Sequence, residues 1–422
     1  MTFWFGVIVF ALGILLSVCL HEAGHLITAK KFGMKATQFF AGFGPTLWSF
    51  RRGETEYGLK AFPAGGFVKI VGMTPLEENI APEDMHRAFW RKPVWQRTIV
   101  LAAGSATHFV LALLIFYLAA VTTGLPNAAA EEFEPLDAPP VIGQVTTCVV
   151  PDYTIVTKDG QETLRDCRPG DPIGPAKAAG LRAGDRFESV GDTPVSTYGD
   201  FVRAIRAREP GSVQVTYVRG TQERTATVDL VATQRPALDA EDDTKLETVS
   251  AIGIAVAVPR LINDYGPLSG IGGAASYTGH MVQRTFQAIA KFPSKIPKLI
   301  DAIQGEERDQ ETPISVVGAS RIGGEAAELD LPIVFLAALG GLNVFIGVFN
   351  LFPLLPLDGG HIAIIWFERA RSWLAARRGR PDPGRVDYNK LMPVTLVVIV
   401  LFGGLTVLTL AADIINPITL RQ

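Results

Sequence analysis

An uncharged run from Phe3 to Leu20 leads without a break into His21-Glu22-Ala23-Gly24-His25, which confines the start of this chain to a helix in lipid. A stretch this long and apolar can satisfy its backbone polar groups inside a bilayer only as a helix. On that helix positions i and i+4 share a face, so His21 and His25 can ligate one zinc while Glu22 reaches the attacking water as general base. This pattern serves peptide hydrolysis. With six histidines in 422 residues, chance produces it on the order of 0.004 times per chain. Lys30 and Lys31 are the first charges after the motif. At 1.5 Å per residue the metal would sit roughly 8 to 14 Å below that interface. Ionisable groups at such depth are costly unless they serve a function, which weighs against the plainer reading of solvated residues at a helix end.

The rest of the composition agrees with a membrane protein. A hydrophobic content of 48% is high for a soluble chain, yet 19% charged residues require sizeable aqueous parts. A net charge of -3 carries no nucleic-acid footprint. The first run lacks a basic leader and a small-residue cleavage site, so it reads as a retained span and not a signal peptide. Further crossings are expected at about 97–124, at about 331–367 with an interruption, and at about 391–413.

The fold class is therefore a polytopic α-helical membrane protein of about four spans. The expected division is 1–124, carrying the motif and a β-hairpin loop; 125–245, an outer domain with linkers; 246–330, a connector; and 331–422, the last two spans. Eleven Lys and Arg between the first two spans, and seven between the last two, place both loops in the cytoplasm. The 125–330 segment and both termini then lie outside, and the metal toward the cytoplasmic leaflet. Cys19 falls in the first span, and Cys148 and Cys167 are the two on the outer side, where a disulfide can persist. A bridge is expected there; two unpaired structural thiols are the alternative.

A catalytic zinc needs a third protein ligand and an open position. Asn350-Leu-Phe-Pro-Leu-Leu-Pro-Leu-Asp358-Gly-Gly-His361 interrupts the third apolar stretch and holds the only other acid deep in a span. Pro353, Pro356 and Gly359-Gly360 break the helix, which is tolerated at membrane depth only against protein or a water-filled cavity. Asp358 is expected to be the third ligand, capping of the restarted helix being its other common use. His361 is a weaker candidate, more in keeping with a polar neighbour of the site. Tyr57–Phe62 and Phe67–Val71, joined through Pro63, Ala64, Gly65 and Gly66, read as a hairpin whose edge could take an extended substrate by strand addition.

In these motifs the chain resembles the site-2 protease family of intramembrane zinc metalloproteases, in the bacterial form that cleaves anti-sigma factors. The resemblance rests on His21-Glu22-x-x-His25, on Asn350 to Gly359 and on a PDZ-like insert between them, and it covers nearly the whole chain. It implies one Zn2+ per chain held by His21, His25 and Asp358, with Glu22 as catalytic base. It further implies that Asn350 and the Gly65-Gly66-Phe67 loop hold substrate, and that the substrates are single-pass transmembrane proteins already cut on the outer side. Multi-pass residence in the inner membrane follows.

His108, in Gly104-Ser105-Ala106-Thr107-His108, departs from the family pattern of Gly-Pro and an Asn. A hydrogen bond to a zinc ligand, an oxyanion contact and simple packing all stay open for it, with the first preferred over direct ligation.

In the outer region Val141–Val150, Arg186–Val190, Val213–Arg219 and Thr225–Leu230 read as strands and Tyr198–Ala207 as a helix. Pro175 to Asp185 and Ser189 to Val195 look like a single PDZ domain, which implies an extended peptide ligand. Segments 131–140 and 238–247 read as joints. The basic amphipathic stretch 276–300 is expected on the outer membrane surface, kinked or split at Pro293 and Pro297. Two other functions fit parts of the sequence: a membrane-anchored zinc protease acting on soluble cytoplasmic proteins, and an inactive PDZ-type receptor.

Overall fold

The computed structural model describes residues 1–420 except 74–79, 132, 159–160 and 239–244. Most of the second expected joint thus lies outside the described residues. The chain forms two units, Met1–Pro126 with Ile262–Gln422, and Asn127–Leu261.

Among the described residues, four helices of the first unit are long and apolar enough to cross a membrane: Thr2–Lys31, Val94–Thr122, Pro332–Asn350 and Met392–Ile415. Trp4, Phe5, Ile8, Leu12 and Leu16 stand exposed along the first, a surface suited to lipid and not to water. Ala112, Phe116 and Ala119 of the second span pack with Val344 and Val348 of the third. Tyr277, from the helix Ser269–Gln304, closes that cluster.

This long helix corrects two expectations. It is neither split by Pro293 and Pro297 nor confined to a membrane surface. Both prolines lie four residues apart on its exposed side, and its first half packs through Ala274, Tyr277, Met281 and Val282 into the bundle. Burial of that half offsets the lost backbone bonds.

The expected hairpin is also replaced. The chain forms β1 (Ala36–Arg52) and β2 (Thr55–Ile70), and the two segments expected to pair with each other instead flank β1. Gln38 to Ala41 face Lys69 to Gly66 on one side and Glu56 to Leu59 on the other. Gly42 and Gly44, both at φ 86°, let β1 turn so that its second half, Thr46 to Arg52, runs along Lys60 to Thr55. Aromatic stacking rewards this arrangement: Phe67 lies against Phe40 and Phe43, and Phe50 against Tyr57.

The second unit is an α/β domain around a five-stranded sheet, ordered Leu246–Ala251, Gln222–Pro236, Gly211–Arg219, Arg186–Val190, Thr193–Pro194. Alternation puts Val213, Val215 and Tyr217 inside, where they meet Phe187, Phe201 and Ile205. Tyr198–Arg206 is the expected helix, begun by a capping box between Thr197 and Asp200. The 246–261 segment belongs to this unit because Leu246–Ala251 supplies its edge strand. The expected strand Val141–Val150 is shorter, Ile142–Val145, and the chain beyond it is tied by a Cys148–Cys167 disulfide. Burial alone would raise the Asp185 carboxyl, but the Arg219 guanidinium and the Arg182 backbone N–H hold it below the usual range.

At one end of the first unit a buried ion pair fastens three elements. Asp413, near the end of the last span, lies 2.7 Å from Arg308, and both side chains are at most 2% exposed. The same carboxylate accepts the backbone N–H of Ser315, the residue that caps helix Val316–Glu328. Arg308 also donates to the carbonyls of Asn416 and Pro313. Replacing one partner leaves the other charge buried alone, so Asp413→Ala is expected to cost about 3 to 5 kcal/mol. A paired Arg308→Met and Asp413→Leu change should recover most of that loss, read as melting temperature in detergent.

Candidate metal centre

His21 and His25, one helical turn apart, are 6% and 3% exposed, and their Nε2 atoms lie 3.1 Å from each other. The acid that meets them comes from the broken third segment. After Asn350 the helix stops, and Asp358 opens a new one, Asp358–Arg377. Gly359 permits this return: a Cβ there would collide with the Leu351 carbonyl. The Asp358 carboxylate makes no capping bond; its Oδ2 lies 3.3 Å from His21 Nε2 and 3.4 Å from His25 Nε2.

These three atoms form a nearly equilateral triangle. Tetrahedral zinc with bonds of about 2.0 to 2.1 Å has ligand-to-ligand edges of about 3.3 Å, so spacing and donor types both fit that ion. Proton placement points the same way. His25 Nδ1 donates to the Val100 carbonyl at 2.7 Å, which leaves Nε2 as the lone-pair end. A lone pair aimed at a buried carboxylate oxygen that makes no hydrogen bond is unfavourable unless a cation lies between them.

The second span makes room for that cation. Gly104 faces the triangle, and a Cβ on it would come within 2.5 Å of His25 Nε2 and 2.6 Å of His21 Nε2. Gly24 does the same for the helix crossing, since its Cβ would lie 2.7 Å from the Ala103 carbonyl.

Glu22 stands beside the β2 edge. Its Oε2 accepts the Val68 N–H at 3.0 Å, and a Cβ on Gly66 would sit 3.5 Å from its Cγ. Gly65, at φ 131°, turns the chain there, and Phe67 stacks against Phe40. The outer edge of strand 66–70 thus faces Glu22 through the Val68 N–H.

Asn350 is the last residue of its helix and is half-buried. His361 does not join the triangle; its Nδ1 lies 3.4 Å from the Tyr388 hydroxyl. His108 stands beside His21, ring centroids 5.1 Å apart, with Nδ1 2.9 Å from Asn343 Oδ1. Among the described residues, the donor atoms of His21, His25 and Asp358 are the ones that gather within 4.8 Å. Gly104, the Val100 carbonyl, the Val68 N–H and Asn343 are not legible as site groups in the sequence. Only Gly104 leaves a trace there, as a small residue one turn before a membrane histidine.

Known proteins are similar to this chain over its whole length. Residues 9–381 match the model of peptidase family M50. The chain is 42% identical to zinc metalloprotease Rip1 of Mycolicibacterium smegmatis, over all of both chains. It is likewise 42% identical to zinc metalloprotease Rip1 of Mycobacterium tuberculosis, again over both whole chains. It is 28% identical to the regulator of sigma-E protease RseP of Salmonella typhimurium, over 94% of this chain and 96% of that one.

Because the Nε2 atoms of both histidines border Gly104, Gly104→Ala is expected to abolish zinc retention while the helices stay packed. Metal content of the purified protein should fall from about one zinc per chain toward none, with an unchanged far-ultraviolet circular dichroism spectrum.

Proposed function

This chain belongs to peptidase family M50 and is a zinc metalloprotease of the site-2 type, an intramembrane enzyme; we propose that it cleaves transmembrane segments of single-pass membrane proteins, anti-sigma factors or similar, after a prior cut on their outer side. In this reading His21, His25 and Asp358 hold the zinc and Glu22 is the catalytic base. The observation that carries it is the 3.1, 3.3 and 3.4 Å triangle formed by two separate membrane segments.

A helical substrate in lipid has its backbone groups paired internally, so cleavage requires local unwinding and new partners for the freed amides. The β2 edge at Gly66–Ile70 supplies them by strand addition, and Asn350 takes a further amide. Substrate laid along that edge passes Glu22, because the Val68 N–H already reaches its carboxylate. When bound, zinc polarises the scissile carbonyl and lowers the pKa of its water toward about 7. Glu22 takes the proton of the attacking water and delivers it to the departing amine.

The positive loops favour an active site toward the cytoplasmic leaflet of the inner membrane, with the Asn127–Leu261 unit outside as a PDZ-like peptide binder. Deleting that unit distinguishes two roles for it. Cleavage of uncut substrate marks a filter, and weaker cleavage of every substrate marks a receptor.

Glu22→Gln keeps the shape of the side chain but removes the base. It is expected to retain one zinc and to slow cleavage by about 10² to 10⁴, with uncut single-span proteins accumulating in membranes that carry the variant. Treatment with a zinc chelator should stop the wild-type protein, and added zinc should restore it. Full activity of Glu22→Gln would overturn the reading.

A further inference from the structure

A third imidazole, at the depth of the zinc ligands, is not used by the mechanism above. His108, on the second span, is 1% exposed. Its neighbour Asn343, a polar residue inside the apolar third span, is also 1% exposed.

Their hydrogen bond has a determined direction. Asn343 Nδ2 donates to the Leu339 carbonyl at 2.9 Å, so its NH2 group is committed within its own helix. The oxygen of the same amide is therefore the atom 2.9 Å from His108 Nδ1. An amide oxygen only accepts, so Nδ1 carries the hydrogen. That leaves Nε2 as the lone-pair end of a ring packed against His21. The third span also approaches closely at the base of this side chain, since a Cβ on Gly347 would lie 3.2 Å from the His108 Cβ. Its nitrogens are not among the donor atoms that gather at the triangle, which argues against direct ligation.

We propose that Asn343 is a positioning residue that fixes His108 with its Nδ1 hydrogen toward the third span, so that Nε2 accepts a hydrogen bond from the water that Glu22 deprotonates. This rests on the zinc centre being the catalytic one. A neutral acceptor suits this role, because it restrains the water without competing for the metal, and it does not supply the donor that an oxyanion contact would need.

The test uses the full-length zinc-loaded protein in lipid with an unstructured casein as generic substrate. Asn343→Leu keeps the volume and removes the acceptor, whereas Asn343→Asp keeps an oxygen facing Nδ1. The Leu variant is expected to lose about tenfold or more in kcat with KM and zinc content unchanged, and the Asp variant to recover to within about threefold of wild type. His108→Leu should cost about as much as Asn343→Leu, and the double variant no more than either. Cobalt-substituted forms of all three should keep the wild-type visible spectrum. Wild-type kcat in Asn343→Leu overturns the proposal, as does an additive double variant or a cobalt spectrum that reports a lost ligand. Glu22→Gln run in parallel separates the two readings: if it still cleaves, the catalytic centre is misassigned, and if it is dead while Asn343→Leu is unimpaired, only the role of Asn343 falls.

Discussion

Three electron-rich atoms are held within 3.4 Å of one another in a part of the molecule shielded from water. The carboxylate repels an imidazole lone pair turned toward it, as at His25, and lipid offers no compensating hydrogen bond. The surrounding structure holds them there. The first span brings the imidazoles onto one face, the second supplies the carbonyl that sets the His25 tautomer and the glycine that leaves space, and the broken third segment delivers the carboxylate. On the proposed assignment, divalent zinc turns that repulsion into binding, so the site and the cofactor form a single electrostatic arrangement.

Breaking a helix inside a membrane is costly, and here the break does two things. It ends one helix at Asn350, and it starts another with Asp358 in the first turn, where a carboxylate is favoured by the helix dipole. The freed backbone folds upon itself, with the Leu354 and Leu357 N–H groups bonded inside the turn. The β1–β2 sheet adds a second kind of irregular backbone next to Glu22. Its outer edge meets Glu22 through the Val68 N–H, where an extended chain could find backbone partners.

Legibility differed between these parts. His21, Glu22 and His25 lie within five consecutive residues, and helical periodicity alone puts them together, so the sequence sufficed for them. Asp358 was readable because an acid beside two prolines and two glycines is conspicuous in an apolar stretch. The sheet was misread because the pairing of β1 with both halves of β2 is non-local, and a short apolar segment next to a glycine turn looks the same in a simple hairpin. The long connector, expected to kink or split at its prolines, stays one helix, because packing of its other face into the bundle outweighs the local propensity of proline.

Length and hydropathy by themselves determined four membrane helices and a large aqueous insert, because the cost of unpaired backbone in lipid leaves few alternatives. The motif by itself placed two imidazoles on one helix face with a carboxylate beside them. Only the tertiary structure decided that Asp358, more than 330 residues away in sequence, completes the triangle. It also decided that Gly104 borders both imidazole Nε2 atoms, and that His108 answers to Asn343. Those relations depend on how separate helices cross, and a crossing is set by side chains meeting across the bundle, which no single stretch of chain encodes.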